Sequence, residues 1–229
     1  QGTQNGLDII GPHPQTQAGA GVFKRGPAAI HYETTGAPLA DAQRVIVWAH
    51  GWGQNRDAFR ALASSFSQSA NVLVDFPGFG AAPPPPESWG TAEYADLGEQ
   101  FLKSLGKPAS QIVWVGHSFG CRVGLQLAAR HPGSVSSMCL IAAAGLKRKR
   151  SFAEAVKFQA RIRMFKLAKM FASKQKIEEM RSKAGSADYQ RAGAMRPVFV
   201  RVVNEDLTDV ARKVNCPTLL VFGENDTET

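Results

Sequence analysis

The sequence predicts an α/β fold: a mostly parallel sheet with helices on both faces. Two observations carry this. Short apolar, β-branched runs recur along the chain, and runs that are apolar on every position fit strands buried on both faces. Between them lie segments of helical length opened by capping residues, which is the alternation of a parallel α/β sheet. A third observation divides the chain: from about Lys147 to Val203 the strand pattern stops and a helical, basic stretch is inserted.

Taken in order, residues 1–22 are rich in Gly, Gln and Pro and read as a loose lead-in. Ile30–Glu33 is a short strand ending at Gly36. Val45–Ala49 is a buried strand that breaks at His50-Gly51-Trp52-Gly53, after which Asn55 or Asp57 caps a helix reaching about Phe66. Val72–Val74 is the next strand. It stops at Asp75-Phe76-Pro77-Gly78-Phe79-Gly80, and Pro83–Pro86 form a rigid loop. Thr91 is a suitable N-cap for a helix over 92–105. Ile112–Val115 is a further buried strand, turning through Gly116-His117-Ser118-Phe119-Gly120 into a helix over about 121–131. Met138–Ile141 and Thr218–Phe222 complete the strands. The domain reading is therefore a lead-in over 1–22, a core over 23–145 and 206–229, and a helical basic cap over 146–205.

Charge follows the same division. The net charge is +8, but residues 147–213 alone carry 18 Lys and Arg against 7 Asp and Glu. The remainder is slightly acidic. The basic surplus belongs to the cap, where it reads mainly as solvated surface, with attraction of an acidic substrate as the alternative; no nucleic acid partner is expected. No apolar run approaches the roughly 20 residues of a membrane span, so no stable membrane insertion is expected. The N-terminus has no basic and apolar signal pattern. Cys121, Cys139 and Cys216 read as small buried thiols, which fits a reducing, cytoplasmic compartment. No metal or cofactor signature is present.

The chemistry concentrates at Gly116-x-Ser118-x-Gly120. A serine at the tip of a very tight strand-to-helix turn sits in strained φ/ψ with its hydroxyl exposed above the sheet. Glycines two positions either side remove the collision that such a close strand–helix approach would cause. Acyl transfer at such a serine needs two N–H donors for the oxyanion. The residue after the nucleophile, Phe119, supplies one backbone N–H, and the His50–Gly53 loop supplies the other, at Trp52. His50 itself reads as a residue bracing that loop. Asp226 follows the last strand at the edge where parallel sheets bind ligands, and Glu224 is the second choice of acid. Trp52, Phe79 and Phe119 are expected at the mouth of an apolar pocket, with Met164 or Phe165 of the cap above them.

These four segments, His50–Gly53, Asp75–Gly80, Gly116–Gly120 and Gly223–Asp226, resemble in the same order the oxyanion loop, the loop after the fourth strand, the nucleophile elbow and the acid turn of the α/β-hydrolase superfamily. The resemblance covers roughly residues 28–145 and 214–229. It implies Ser118 as nucleophile, Asp226 as acid, and the N–H groups of Trp52 and Phe119 as oxyanion hole. One departure matters. The family places its histidine after the acid, whereas His13, His31, His50, His117 and His131 all precede Asp226. The expectation is a chain cut short before its last strand, its C-terminal helix and its catalytic histidine, and therefore nearly inactive alone. The implied reaction is hydrolysis of a small-molecule carboxylic ester or related acyl compound through an acyl-enzyme on Ser118. C–C bond hydrolysis, thioester hydrolysis or acyl transfer share the fold, and a non-catalytic ligand-binding relative is the reading from another class.

Overall fold

A computed structural model describes residues 9–10, 19–146 and 187–224. Among the described residues eight strands form one sheet in the order β1-β2-β3-β5-β4-β6-β7-β8. They are β1 (Ile9–Ile10), β2 (Gly19–Arg25), β3 (Ala28–Gly36), β4 (Val45–Ala49), β5 (Ala70–Asp75), β6 (Ile112–His117), β7 (Ser137–Ile141) and β8 (Thr218–Val221). From β5 to β8 every neighbouring pair is parallel. The first three strands add to β5 as an antiparallel edge.

The helices are α1 (Arg60–Ser64), preceded by a 3₁₀ turn over Arg56–Phe59, then α2 (Thr91–Ser104), α3 (Phe119–Arg130), α4 (Ala187–Arg191), α5 (Arg196–Asn204) and α6 (Thr208–Ala211). Helices α2 and α3 cover one face of the sheet, and the segment around α1 covers part of the other. The strands show why both faces must be covered. Side chains alternate across a strand, and in β4 Val45, Val47 and Ala49 enter the core under α2 and α3. Ile46 and Trp48 point the other way, onto Phe59 and Ala63. All five residues of β4 and all six of β5 are buried. The largest buried rings carry their own polar satisfaction: Trp48 Nε1 donates to Asn71 Oδ1 at 3.0 Å and Trp114 Nε1 to the Gly120 carbonyl at 3.0 Å.

Three elements differ from the sequence reading. Residues 19–22, expected in the lead-in, belong to β2, which pairs along its whole length with β3. A strand with two glycines among its first three residues gives little periodic signal, and Gly21 is needed because the Tyr32 ring occupies the space of its missing side chain. Helix α2 starts one residue early, at Thr91, with Gly90 as its N-cap. The Thr91 hydroxyl is engaged by Glu205, a partner 114 residues away that no local pattern reveals. The strand containing Ile30 runs from Ala28 to Gly36, because Gly36 at φ 77° is what ends it. The basic segment over 147–186, with Met164 and Phe165, lies outside the described residues. So do His13 and Asp226.

Candidate active site

Ser118 stands between β6 and α3 with φ 46° and ψ −98°, one of two non-glycine residues with positive φ among the described residues. A side chain there costs about 1–3 kcal/mol and persists only where the surroundings over-determine it. They do so here. The Ser118 N–H donates to the Ile141 carbonyl at 3.0 Å, and the Gly120 N–H to the His50 carbonyl at 3.0 Å. The elbow is thus tied to the strand ends on either side of β6. A β-carbon on Gly116 would lie 2.6 Å from the Gly120 carbonyl carbon, and one on Gly120 would press into the Ala49 carbonyl. The two glycines therefore serve different contacts: Gly116 admits the start of α3, and Gly120 admits the end of β4. Cys121, just inside α3, is buried with its thiol pKa pushed up to about 12 by desolvation.

The loop after β4 closes on itself. The Gly51 N–H donates to Gln54 Oε1 at 2.9 Å, the Gln54 N–H returns to the Gly51 carbonyl at 3.2 Å, and Gly53 takes φ 70°. His50 is fully buried. Its Nδ1 lies 2.7 Å from the Gly51 carbonyl, and the Phe76 N–H donates to its Nε2 at 3.2 Å. Burial pulls its pKa down to about 4, outweighing the Gly51 hydrogen bond. That matches its expected role as a brace. His117 turns away from Ser118: its Nδ1 lies 3.1 Å from Gln54 Oε1, and its ring fills the space a side chain on Gly51 would need. His131 sits at the far end of α3, 2.7 Å from Asp96 Oδ1. Helix α3 has 12 residues, which at about 1.5 Å per residue sets His131 roughly a helix length from the elbow tip. Among the described residues no hydrogen bond joins Ser118 to a histidine.

Asp75, whose role as a brace the sequence did not reveal, fixes the loop after β5. Its buried carboxylate accepts from the Arg56 N–H at 2.7 Å and the Ala81 N–H at 3.1 Å. Gly80, at φ 56°, leaves room for that carboxylate. The Tyr94 hydroxyl donates to the Pro77 carbonyl at 2.9 Å.

The three aromatic residues expected at the pocket mouth are brought together but do not play equal parts. Trp52 meets Phe79 edge-on at 4.9 Å and Phe119 edge-on at 5.6 Å. Trp52 and Phe79 line a cavity of about 460 Å³ with Gln54, Asn55, Asp188 and Arg191. The Phe119 ring does not border this cavity. It is 2 % exposed and packed against Phe76, Phe79 and Tyr94, so it supports the wall from beneath. The side of the cavity opposite Trp52 and Phe79 comes from α4 and Met195, and the lining is more polar than expected.

Helix α5 and the residue that follows it are latched to the core. Phe199 of α5 lies 5.0 Å from the Trp52 ring. Arg122 Nη1 donates to the Val202 carbonyl at 3.0 Å, Glu205 accepts from the Thr91 N–H at 2.9 Å, and Arg201 pairs with Glu93.

Residues 46–228 match the sequence profile described as the alpha/beta hydrolase family. A stretch of 116 residues is 32 % identical to the pimeloyl-[acyl-carrier protein] methyl ester esterase of Edwardsiella ictaluri, covering 50 % of this chain and 41 % of that protein. The match thus spans less than half of that relative's length. Two solved structures share the fold. One, a membrane phospholipase A described as a bacterial virulence factor, is 20 % identical with TM-score 0.65, over 91 % of this chain and 71 % of that one. The other, Est816, an N-acyl homoserine lactone degrading enzyme, is 21 % identical with TM-score 0.62, over 90 % and 82 %.

Proposed function

The chain belongs to the alpha/beta hydrolase family, and from that premise we propose that the protein hydrolyses a small carboxylic ester, or a related acyl compound, with Ser118 as nucleophile. The observation that carries this is the strained Ser118 backbone, held at φ 46° between two glycines that close contacts make irreplaceable. The 32 % identity to a methyl ester esterase favours an ester over a C–C bond or thioester.

In the proposed reaction Ser118 Oγ attacks the acyl carbon and loses its proton to a base. The carbonyl oxygen becomes an oxyanion, held by the N–H groups of Phe119 and Trp52. The intermediate collapses, and the leaving oxygen takes the proton from the base and departs as the alcohol. Water, giving its proton to the same base, then attacks the acyl-enzyme, so that the carboxylic acid leaves and the proton returns to Ser118 Oγ. Asp226 orients the base. His50, His117 and His131 are engaged elsewhere and His31 lies on β3, so the proposed base is a histidine outside the described residues. Trp52 and Phe79 contact the substrate, with Phe119 behind them.

The test uses the full-length protein. A fluorophosphonate probe should label Ser118 and abolish hydrolysis of p-nitrophenyl butyrate, and Ser118→Ala should lose both reactions. Labelling that persists in Ser118→Ala would refute the assignment.

A further inference from the structure

We infer that His50 is the positioning residue that aims the Trp52 N–H at the oxyanion, through the hydrogen bond of its Nδ1–H to the Gly51 carbonyl. The inference rests on the reading above in which that N–H stabilises the oxyanion.

The neighbours of the His50 ring fix its tautomer. The Phe76 N–H donates to Nε2 at 3.2 Å, so Nε2 is an acceptor and carries no hydrogen. A neutral imidazole then carries its proton on Nδ1. Nδ1 lies 2.7 Å from the Gly51 carbonyl, a short and well-made donor contact. The ring cannot rotate out of this arrangement, because it is fully buried between Phe76, 5.4 Å away, and Phe79, edge-on at 5.2 Å.

The carbonyl receiving that proton belongs to the Gly51–Trp52 peptide. Its oxygen also accepts from the Gln54 N–H at 3.2 Å, so two donors fix the peptide plane. The peptide is trans and planar, so its N–H points opposite to its C=O. With the oxygen drawn towards the buried His50 ring, the trans geometry turns the Trp52 N–H away from that ring, and the Trp52 side chain meets Phe119 of the elbow edge-on at 5.6 Å. Loss of the Nδ1 donor leaves only the longer Gln54 contact, and the peptide gains freedom to rotate.

His50 also holds the other half of the site. Its own carbonyl accepts the Gly120 N–H at 3.0 Å, two residues beyond Ser118. One residue therefore sets the loop that carries Trp52 and the turn that carries Phe119 at a common spacing. Preorganised donors of this kind are effective because they need no reorganisation when charge develops.

Two substitutions separate this role from simple bracing. In His50→Asn the side-chain amide nitrogen takes the place of Nδ1 and keeps the donor to Gly51. In His50→Gln the longer amide reaches the Nε2 position and keeps the acceptor for Phe76. In the full-length protein, with p-nitrophenyl butyrate, His50→Asn should retain most of kcat. His50→Gln should lose at least about tenfold in kcat, below the roughly 10²–10³-fold cost of deleting an oxyanion donor, with KM unchanged. Equal losses in the two variants, or a loss that appears in KM alone, would overturn the proposal. Failure of the wild-type protein to react with a fluorophosphonate would instead refute the hydrolase reading and remove the proposal with it. Imidazole nitrogen NMR of the wild type provides the arm that does not depend on either variant folding: a proton on Nδ1 with bare Nε2 supports the assignment, and a proton on Nε2 overturns it.

Discussion

Gly120 approaches Ala49 so closely that its missing β-carbon would fall inside the Ala49 carbonyl group. The contact is backbone against backbone, at the point where α3 begins beside the end of β4, so neither side can move without disturbing the sheet. Gly120→Ala should therefore destabilise the protein by about 3 kcal/mol, the upper end of overpacking costs, or prevent folding. Gly98, in the middle of α2 with open space around its missing side chain, is the internal contrast. Gly98→Ala should stabilise by about 0.5–1 kcal/mol. Denaturant unfolding of the two variants checks both signs.

A second prediction concerns acid. Burial lowers the His50 pKa from its ordinary 6.5 to about 4, so the folded state binds this proton less readily than the unfolded chain. Between those values the unfolded state carries more protons, and stability rises with pH. The contribution is complete above about pH 6.5 and is lost as pH falls towards 4, amounting to on the order of 3 kcal/mol. His31 and His117 are also lowered by desolvation and add slope in the same direction. His50→Asn should flatten the dependence between pH 6.5 and 4 without abolishing it. Unfolding free energies measured across that range give the difference directly.

The latch between α5 and α2 yields a third. Glu205 accepts from both the N–H and the hydroxyl of Thr91, at the positive end of a 14-residue helix. Hydrogen bonds to a charged partner are each worth about 1.5–3 kcal/mol, reduced here by partial exposure. Glu205→Gln keeps the size but removes the charge, and should cost about 1 kcal/mol. Because Phe199 of the same helix rests on Trp52, the effect should appear locally first. Amide exchange over residues 196–204 should accelerate, while β4 and β5, buried on every position, stay protected.

What the sequence disclosed follows the range of the interactions involved. The central strands were legible because Val45–Ala49 and Ile112–Val115 are continuous apolar runs, and the elbow because its glycines and serine lie within five residues. The bracing of Asp75, the tautomer of His50 and the Glu205–Thr91 latch join positions 6 to 114 residues apart. Local pattern cannot reveal such partners, since each residue alone is an ordinary loop or helix-end choice. Phe119 illustrates the intermediate case. Its place after Ser118 is evident, but whether its ring faces ligand or core depends on Tyr94 and Phe76, which arrive from other elements.

The last prediction comes from β8. It pairs with β7 on one side, and Leu219, Leu220, Val221 and Phe222 are all exposed. Beside it, Ile46, Trp48, Val115, Ile141 and Leu219 line an apolar groove of about 520 Å³. An exposed apolar strand at a sheet edge offers both unpaired backbone groups and a sticky surface, the combination that promotes edge-to-edge association. The 229-residue chain should therefore self-associate in a concentration-dependent manner. Leu220→Lys places a charge on that edge, where water can solvate it at little cost to the fold. It should shift the chain towards monomer in sedimentation velocity and raise its solubility, with the unfolding midpoint little changed. The matching substitution at Leu140, buried one strand inward and paired with Leu220, should instead unfold the protein, because it would put an unpaired charge into the core.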